Sequence, residues 1–150
     1  MNNLLVIHAD AAATFATLAV ALWLKGLAAS FVQVWARVRE RAYKKPEDAA
    51  MMGRTPRPEP ALALRANDAW RNETENAPYY LALAAAAVLL GTPVLVLALT
   101  SAAFVLARCA HAWAQIAALQ PLRSLAWLAG VLATLSLAVA TLMVSWRLAI

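Results

Sequence analysis

The sequence is poor in the residues that form cross-links and metal sites. It has one cysteine and two histidines among 150 residues. Cys109 stands within an apolar segment and has no second cysteine to pair with, so an internal disulfide is excluded and we interpret it as a packed thiol. His8 and His111 fall at opposite ends of the helical bundle predicted below, which argues against a metal site.

Charge is also absent over a long stretch. No residue between Asn76 and Ala107 carries a full charge, and hydrophobic residues make up 63% of the chain. Soluble domains contain roughly half apolar residues, and a chain of this size cannot bury so much apolar surface internally. We therefore expect an integral membrane protein whose surplus apolar surface is covered by lipid and by other copies of the chain.

Four apolar segments are long enough to cross a bilayer, because a hydrocarbon core of about 30 Å needs about 20 helical residues. They are predicted at about 4–38, 62–90, 93–119 and 122–145. As a single helix the uncharged run would be about 48 Å long, so Gly91-Thr92-Pro93 is predicted to break it. The N-terminus lacks a basic region and a small-residue cleavage site, so the first span is expected to be retained. The prediction is one all-α domain, an integral membrane four-helix bundle.

The connection 39–60 is expected to be an irregular loop, since it contains Pro46, Pro56, Pro58 and Pro60. Nine of the thirteen lysines and arginines fall in the range 37–71. We interpret this concentration as a topology signal and not as a nucleic-acid surface. Loop 39–60 is then cytoplasmic and both termini lie on the opposite side. The alanine-rich composition suggests a bacterial inner membrane.

Polar side chains from all four spans are predicted at one depth, near the cytoplasmic surface. Counting about 20 residues from each far-side turn places ten residues in this layer: Arg37, Arg71, Asn72, Glu75, Arg108, His111, Gln115, Arg123, Ser124 and Trp127. In span two, Arg65, Asp68, Arg71/Asn72 and Glu75 step by three or four and share a helix face. In span three, Arg108, His111 and Gln115 do the same. Such polar faces are expected to meet protein, ligand or water instead of lipid.

Lys25 is the only charged residue deep within the first span. At that depth its side chain cannot easily extend to the membrane surface. We therefore predict an acidic partner on the second span, Glu73 or Glu75.

The remaining charges allow two interpretations. In the first, the groups only neutralise one another, for example Glu75 with Arg108 and Asp48 with Arg123. Alternatively, arginine outnumbers the acids in this layer and binds an external anion, because guanidinium groups bind carboxylates bidentately. The second interpretation predicts a binding site.

Three blocks of sequence then carry a resemblance to a known family. They are RVRERAYKKPEDA from Arg37 to Ala49, Arg71-Asn72-x-x-Glu75-Asn76-x-Pro78, and Arg108-x-x-His111 followed by Pro121-x-Arg123-Ser124. In this order they resemble the membrane-associated proteins in eicosanoid and glutathione metabolism, the MAPEG family. That family includes microsomal glutathione transferases and the microsomal prostaglandin E synthase.

The resemblance implies a homotrimer of four-helix subunits that binds glutathione at the cytoplasmic end, between neighbouring subunits. It implies a glutathione transferase or glutathione-dependent peroxidase acting on an apolar electrophile or lipid supplied by the bilayer. Carried over by position, the contacts to glutathione would be Arg37, Arg71, Asn72, Glu75, Arg108 and His111. Arg123 and Ser124 would lie near the sulfur as catalytic groups, and Gln115 and Trp127 are further expected ligand contacts.

Some positions depart from the family pattern. Trp70 replaces the usual histidine or glutamine, and Gln115 and Trp127 stand where several members have tyrosine. A non-catalytic lipid-binding or scaffold protein on the same fold therefore remains an alternative. A four-span exporter is less favoured, because such proteins usually centre on an acidic residue in the first span, where this chain has Lys25.

Overall fold

A computed structural model describes residues 8–149, and this part of the chain is helical and contains no strand, as the sequence predicts. The helices are α1 (Ala9–Glu40), α2 (Pro46–Met51), α3 (Ala61–Leu89), α4 (Val94–Ile116) and α5 (Gln120–Ala149). Four of them are long, and α2 is a six-residue helix within loop 39–60. The predicted start of the first span, near residue 4, lies outside the described residues.

Turn residues fix where the helices end. Gly91 has a φ of 74°, a left-handed conformation that glycine adopts without a steric penalty, and it reverses the chain between α3 and α4. Loop 39–60 differs from the prediction in part, because Pro46 begins a helix. Proline is accepted there since the first helical residue needs no N–H donor. The later prolines of this loop lie in non-helical chain, as expected.

The helices pack through small side chains. α3 is central: it packs on α1 and α4 and also contacts α5, while α4 and α5 form an extensive pair. The buried face of α3 consists largely of alanine: Ala63, Ala66, Ala69, Ala77, Ala84 and Ala87. Small residues let helix backbones approach closely, which matters in lipid because lipid tails are as apolar as leucine.

A larger side-chain cluster fills the end of the bundle away from loop 39–60. Tyr80 of α3 stacks on Phe104 of α4, with ring centroids 3.9 Å apart and an interplanar angle of 11°. Leu97 of α4 and Leu137 of α5 are fully buried in the same cluster. This apolar half anchors the helices whose other ends carry the polar residues.

Among residues 8–149, three helices, α1, α4 and α5, are long and apolar enough to cross a membrane. Large apolar side chains such as Trp23, Phe31, Leu95 and Leu106 are exposed on the outside of the chain. Exposed apolar surface of this extent suits a lipid environment. α3 differs because its first half carries charged residues, and those residues form the site described next.

Candidate functional site

An open cavity of about 310 Å³, here called the polar cavity, lies between α3, α4 and α5. Its lining residues are Asp68, Arg71, Asn72, Glu75, His111, Gln115 and Arg123. All except Asp68 belong to the site predicted from the sequence. The structure therefore brings together predicted residues from three helices.

Helical spacing explains this arrangement. On α3 the lining residues recur at intervals of three or four, so one helix face presents them all. His111 and Gln115 are one turn apart near the end of α4, and Arg123 stands in the first turn of α5. The short connection between these helices therefore brings Arg123 next to Gln115, and Arg123 Nη1 donates a hydrogen bond of 2.9 Å to Gln115 Oε1.

Charges of both signs line the polar cavity. Arg71 Nε donates to Glu75 Oε1 at 3.4 Å, and both side chains are largely exposed to solvent. An exposed pair of this kind is screened by water and easily replaced by other partners. Asp68 adds a second carboxylate, and the His111 Nδ1 atom is buried without a hydrogen-bond partner among the described residues.

Behind the polar cavity lies a group of buried charges, here called the buried ion cluster. It consists of Lys25 from α1, Glu73 from α3 and Arg108 from α4. Glu73 Oε2 accepts hydrogen bonds from Lys25 Nζ and, at 3.1 Å, from Arg108 Nε. The side chains of Lys25, Glu73 and Arg108 are only 8%, 7% and 2% exposed. The predicted acidic partner of Lys25 is thus confirmed, and it is Glu73.

Arg108 joins this cluster to the polar cavity without lining the cavity itself. Its Nη2 donates to the Asn72 carbonyl oxygen at 3.0 Å and also to Asn72 Oδ1. Arg108 pairs with Glu73, not with Glu75 as the simple pairing scheme supposed. The arginine is therefore held entirely by groups of its own chain.

Arg108 also borders a smaller cavity of about 150 Å³, here called the inner cleft. Its other lining residues include Tyr79, Phe104, Trp127 and Gly130. Trp127 follows Arg123 by about one turn of α5, so along this helix the inner cleft lies about one turn from the polar cavity. Tyr79, one residue after Pro78 of the second motif block, also lines this cleft.

Two further predicted site residues, Arg37 and Ser124, do not line the polar cavity. Arg37 lines a separate cavity with residues of loop 39–60, where its Nη2 lies 2.6 Å from Glu59 Oε1. Asp48 borders that same cavity, away from Arg123. Ser124 is exposed on α5 beside Arg123.

Comparison with models of known protein families shows that residues 14–143 match the MAPEG family model. The chain belongs to the MAPEG family. A search of curated proteins finds no significant match. MAPEG proteins generally bind glutathione, and membership together with the three apolar helices makes this chain an integral membrane protein.

The charge balance of this MAPEG chain differs from the sequence expectation. Arg37, Arg71 and Arg108 each have a carboxylate of the same chain within salt-bridge distance. Within residues 8–149, Arg123 is the predicted arginine without one; its contact is the neutral amide of Gln115. The expected surplus of arginine is therefore reduced, and it is concentrated at Arg123.

Three residues have surroundings that the sequence did not predict. Asp68 was placed on the polar face of its helix but was not included among the site residues. Arg65 from the same face instead donates from Nε to the Ile116 carbonyl oxygen at 2.8 Å, which satisfies the end of α4. Cys109 is exposed, which corrects its interpretation as a packed thiol. Its α4 position faces outward, one residue beyond the inward-facing Arg108.

Proposed function

We propose that this MAPEG protein is a membrane-bound glutathione transferase or glutathione-dependent peroxidase that holds glutathione in the polar cavity. The observation that carries the proposal is a cavity that combines Arg123, free of any carboxylate partner in the described residues, with acidic side chains. Glutathione has two carboxylates and one ammonium group. Its charges therefore complement a site of mixed sign better than those of a simple anion.

Individual groups suit individual parts of the tripeptide. Arg71 can bind a carboxylate by exchanging its weak surface pair with Glu75, which leaves Arg123 for the thiolate. Glu75 or Asp68 suits the ammonium group. The cavity volume of about 310 Å³ is at the lower end of the size of small-molecule sites, roughly 300–1,000 Å³.

Arg123 lines the polar cavity and would act on the sulfur; Ser124, which is predicted to act with it, is exposed next to it and is not part of that lining. A free thiol with a pKa near 8.5 is only a few per cent ionised at pH 7. A guanidinium or hydroxyl group beside the sulfur stabilises the thiolate and raises that fraction. In transfer, the thiolate forms a carbon–sulfur bond with the electrophile, which either releases a leaving group with its electron pair or, when a double bond is attacked, takes up a proton. In peroxide reduction, two glutathione molecules become a disulfide while the peroxide becomes an alcohol and water.

The apolar substrate would approach through the inner cleft. This cleft is lined by Phe104, Trp127 and Tyr79 and lies about one helical turn from the polar cavity, toward the bundle's apolar half. A substrate dissolved in lipid could therefore meet the sulfur without passing through water. His111 lines the polar cavity and would supply a hydrogen bond to the bound tripeptide.

The proposed assembly is a homotrimer in which all four long helices cross the membrane. Loop 39–60 would be cytoplasmic and both termini would lie on the opposite side, in a bacterial inner membrane. Because Arg37 is distant from the polar cavity of its own chain, its predicted contact with glutathione requires a neighbouring subunit. Extensive exposed apolar surface supports contacts with lipid and with other copies.

A titration of glutathione on the detergent-purified protein tests the proposal directly. Arg123→Ala should weaken glutathione binding at least about tenfold, as expected for the loss of a charged hydrogen-bond partner. Arg147→Ala is the matched control, because Arg147 is an exposed arginine at the opposite end of the same helix. Unchanged affinity in Arg123→Ala would refute the assignment of the polar cavity.

A non-catalytic MAPEG binding protein is the second candidate. It is favoured by Gln115, which stands where several family members have tyrosine and which bonds to Arg123. Assays of conjugation and peroxide reduction with a model electrophile and a model hydroperoxide separate the two candidates. Glutathione affinity without turnover in either assay would select the binding protein.

A further inference from the structure

Asn72 stands between the polar cavity and the buried ion cluster. It lines the cavity, and its carbonyl oxygen and Oδ1 both accept hydrogen bonds from Arg108 Nη2. A guanidinium group has only donors. The oxygen of the Asn72 amide must therefore face Arg108, so the usual ambiguity between the oxygen and nitrogen of an amide does not arise here.

This orientation leaves the amide nitrogen of Asn72 available to a ligand. Within residues 8–149 Asn72 Nδ2 donates no hydrogen bond to the protein. The side chain is partly exposed and borders the cavity. Asn72 therefore presents donor atoms, not an acceptor, to the bound molecule.

Glu73 holds Arg108 in place, and Arg108 in turn holds the side chain of Asn72. Its Oε2 accepts from Arg108 Nε at 3.1 Å, while the other edge of the guanidinium reaches Asn72. Both side chains are more than nine-tenths buried. In a low-dielectric interior such charged hydrogen bonds are strong, and an unpaired partner is costly. Glu73 itself is not among the residues that line the polar cavity.

We propose that Glu73 and Arg108 are positioning residues that orient Asn72 so that its Nδ2 donates to an acceptor oxygen of glutathione, a carboxylate or a peptide carbonyl. This inference rests on the proposed function. It replaces direct contact with glutathione as the role of Arg108. It also assigns a role in binding to Glu73, which directly follows Asn72 and is one of the unspecified positions of the motif block 71–78.

Asn72→Asp is the decisive variant. An aspartate has nearly the same shape and keeps acceptor oxygens for Arg108, but it removes the donors and places a negative charge opposite the acceptor. We expect glutathione affinity to fall at least about tenfold, the effect of losing one hydrogen bond to a charged group. The thermal midpoint in detergent should not fall, because the bond to Arg108 gains an opposite charge. Asn67→Asp is the matched control, since it makes the same change on the same helix outside the cavity lining.

A second arm tests whether Glu73 acts through Asn72. Glu73→Gln should weaken glutathione binding severalfold and leave the KM of the apolar substrate unchanged. In the double variant Glu73→Gln/Asn72→Asp, the loss should equal that of Asn72→Asp alone, because two residues acting through one contact are not additive. Lys25→Met/Glu73→Gln serves if the single variant folds poorly, since it removes one cation together with the carboxylate.

The outcomes separate the two proposals. If the unaltered protein binds glutathione and Asn72→Asp binds it equally well, the orientation of Asn72 is wrong while the proposed function stands. Additive losses in the double variant overturn the role of Glu73. Failure of the unaltered protein to bind glutathione overturns the proposed function and this inference together.

Discussion

Two sets of charges lie side by side at one end of this bundle and behave in opposite ways. The buried ion cluster is closed: Lys25, Glu73 and Arg108 are almost completely shielded, and both cations bond to Glu73. The polar cavity is open: Arg71 and Glu75 form a long exposed pair. Residues from one turn of α3 belong to both sets, because neighbouring residues of a helix point in different directions.

The difference shows how a small membrane protein can keep charged groups for a ligand. Charges meant for a ligand must remain weakly committed within the chain, whereas buried charges that hold helices together need a hydrogen-bonded partner of opposite sign. Glu73 and Glu75 are only two positions apart, yet one serves structure and the other faces the cavity. The comparison predicts that matched substitutions in the two sets will affect different properties.

The largest expected effect is on stability in the buried ion cluster. Glu73→Ala leaves the cations Lys25 and Arg108 buried without their shared carboxylate. We expect a loss of about 3–5 kcal/mol in the free energy of unfolding, typical of breaking a buried pair from one side. Unfolding of the detergent-solubilised protein with increasing denaturant measures it. A loss below about 1 kcal/mol would show that water or lipid headgroups reach these cations.

A smaller effect is expected from the other side of the same cluster. Lys25→Met removes one of the two cations and leaves Glu73 paired one-to-one with Arg108. Because the methionine is apolar and similar in length, the stability should change by less than about 1.5 kcal/mol in either direction. The same unfolding measurement applies. A loss as large as that of Glu73→Ala would mean that Lys25 is the main support of Glu73.

Much of this fold follows from the sequence. Long uncharged runs, the break at Gly91-Thr92-Pro93 and the polar stripe on α3 predicted the helices and the face that carries the site. The acidic partner of Lys25 was also predictable, because a lone cation at that depth requires one. Local patterns of this kind survive folding since each helix forms its own backbone hydrogen bonds.

The pairing of the arginines could not be derived in the same way. Depth and helix face placed Arg37, Arg108 and Arg123 in one layer, but they do not say which side of a helix meets which neighbour. In the structure Arg37 pairs with Glu59, Arg108 pairs with Glu73, and Arg123 lines the polar cavity. These choices depend on helix rotation and on the course of loop 39–60, which arise from packing across the whole bundle.

The two sets of charges should also respond differently to salt. Between about 0.01 M and 1 M ionic strength the screening length falls from about 30 Å to about 3 Å. Glutathione binding at the open cavity should weaken severalfold over this range. The contribution of Glu73 to stability, taken as the difference between the protein and Glu73→Ala, should stay nearly constant. Equal sensitivity of both would contradict the description of one set as closed and the other as open.

The smallest expected effect is on stability at the open pair. Glu75→Gln breaks the exposed contact with Arg71, and exposed pairs contribute about 0–1 kcal/mol because water screens them. The free energy of unfolding should change by no more than about 0.5 kcal/mol, the lower half of that range. Glutathione affinity should nevertheless fall, since the ammonium group loses a negative partner. An analogue of glutathione that lacks the amino group provides the control: Glu75→Gln should not weaken its binding, and an equal loss for both ligands would remove Glu75 from contact with the ammonium.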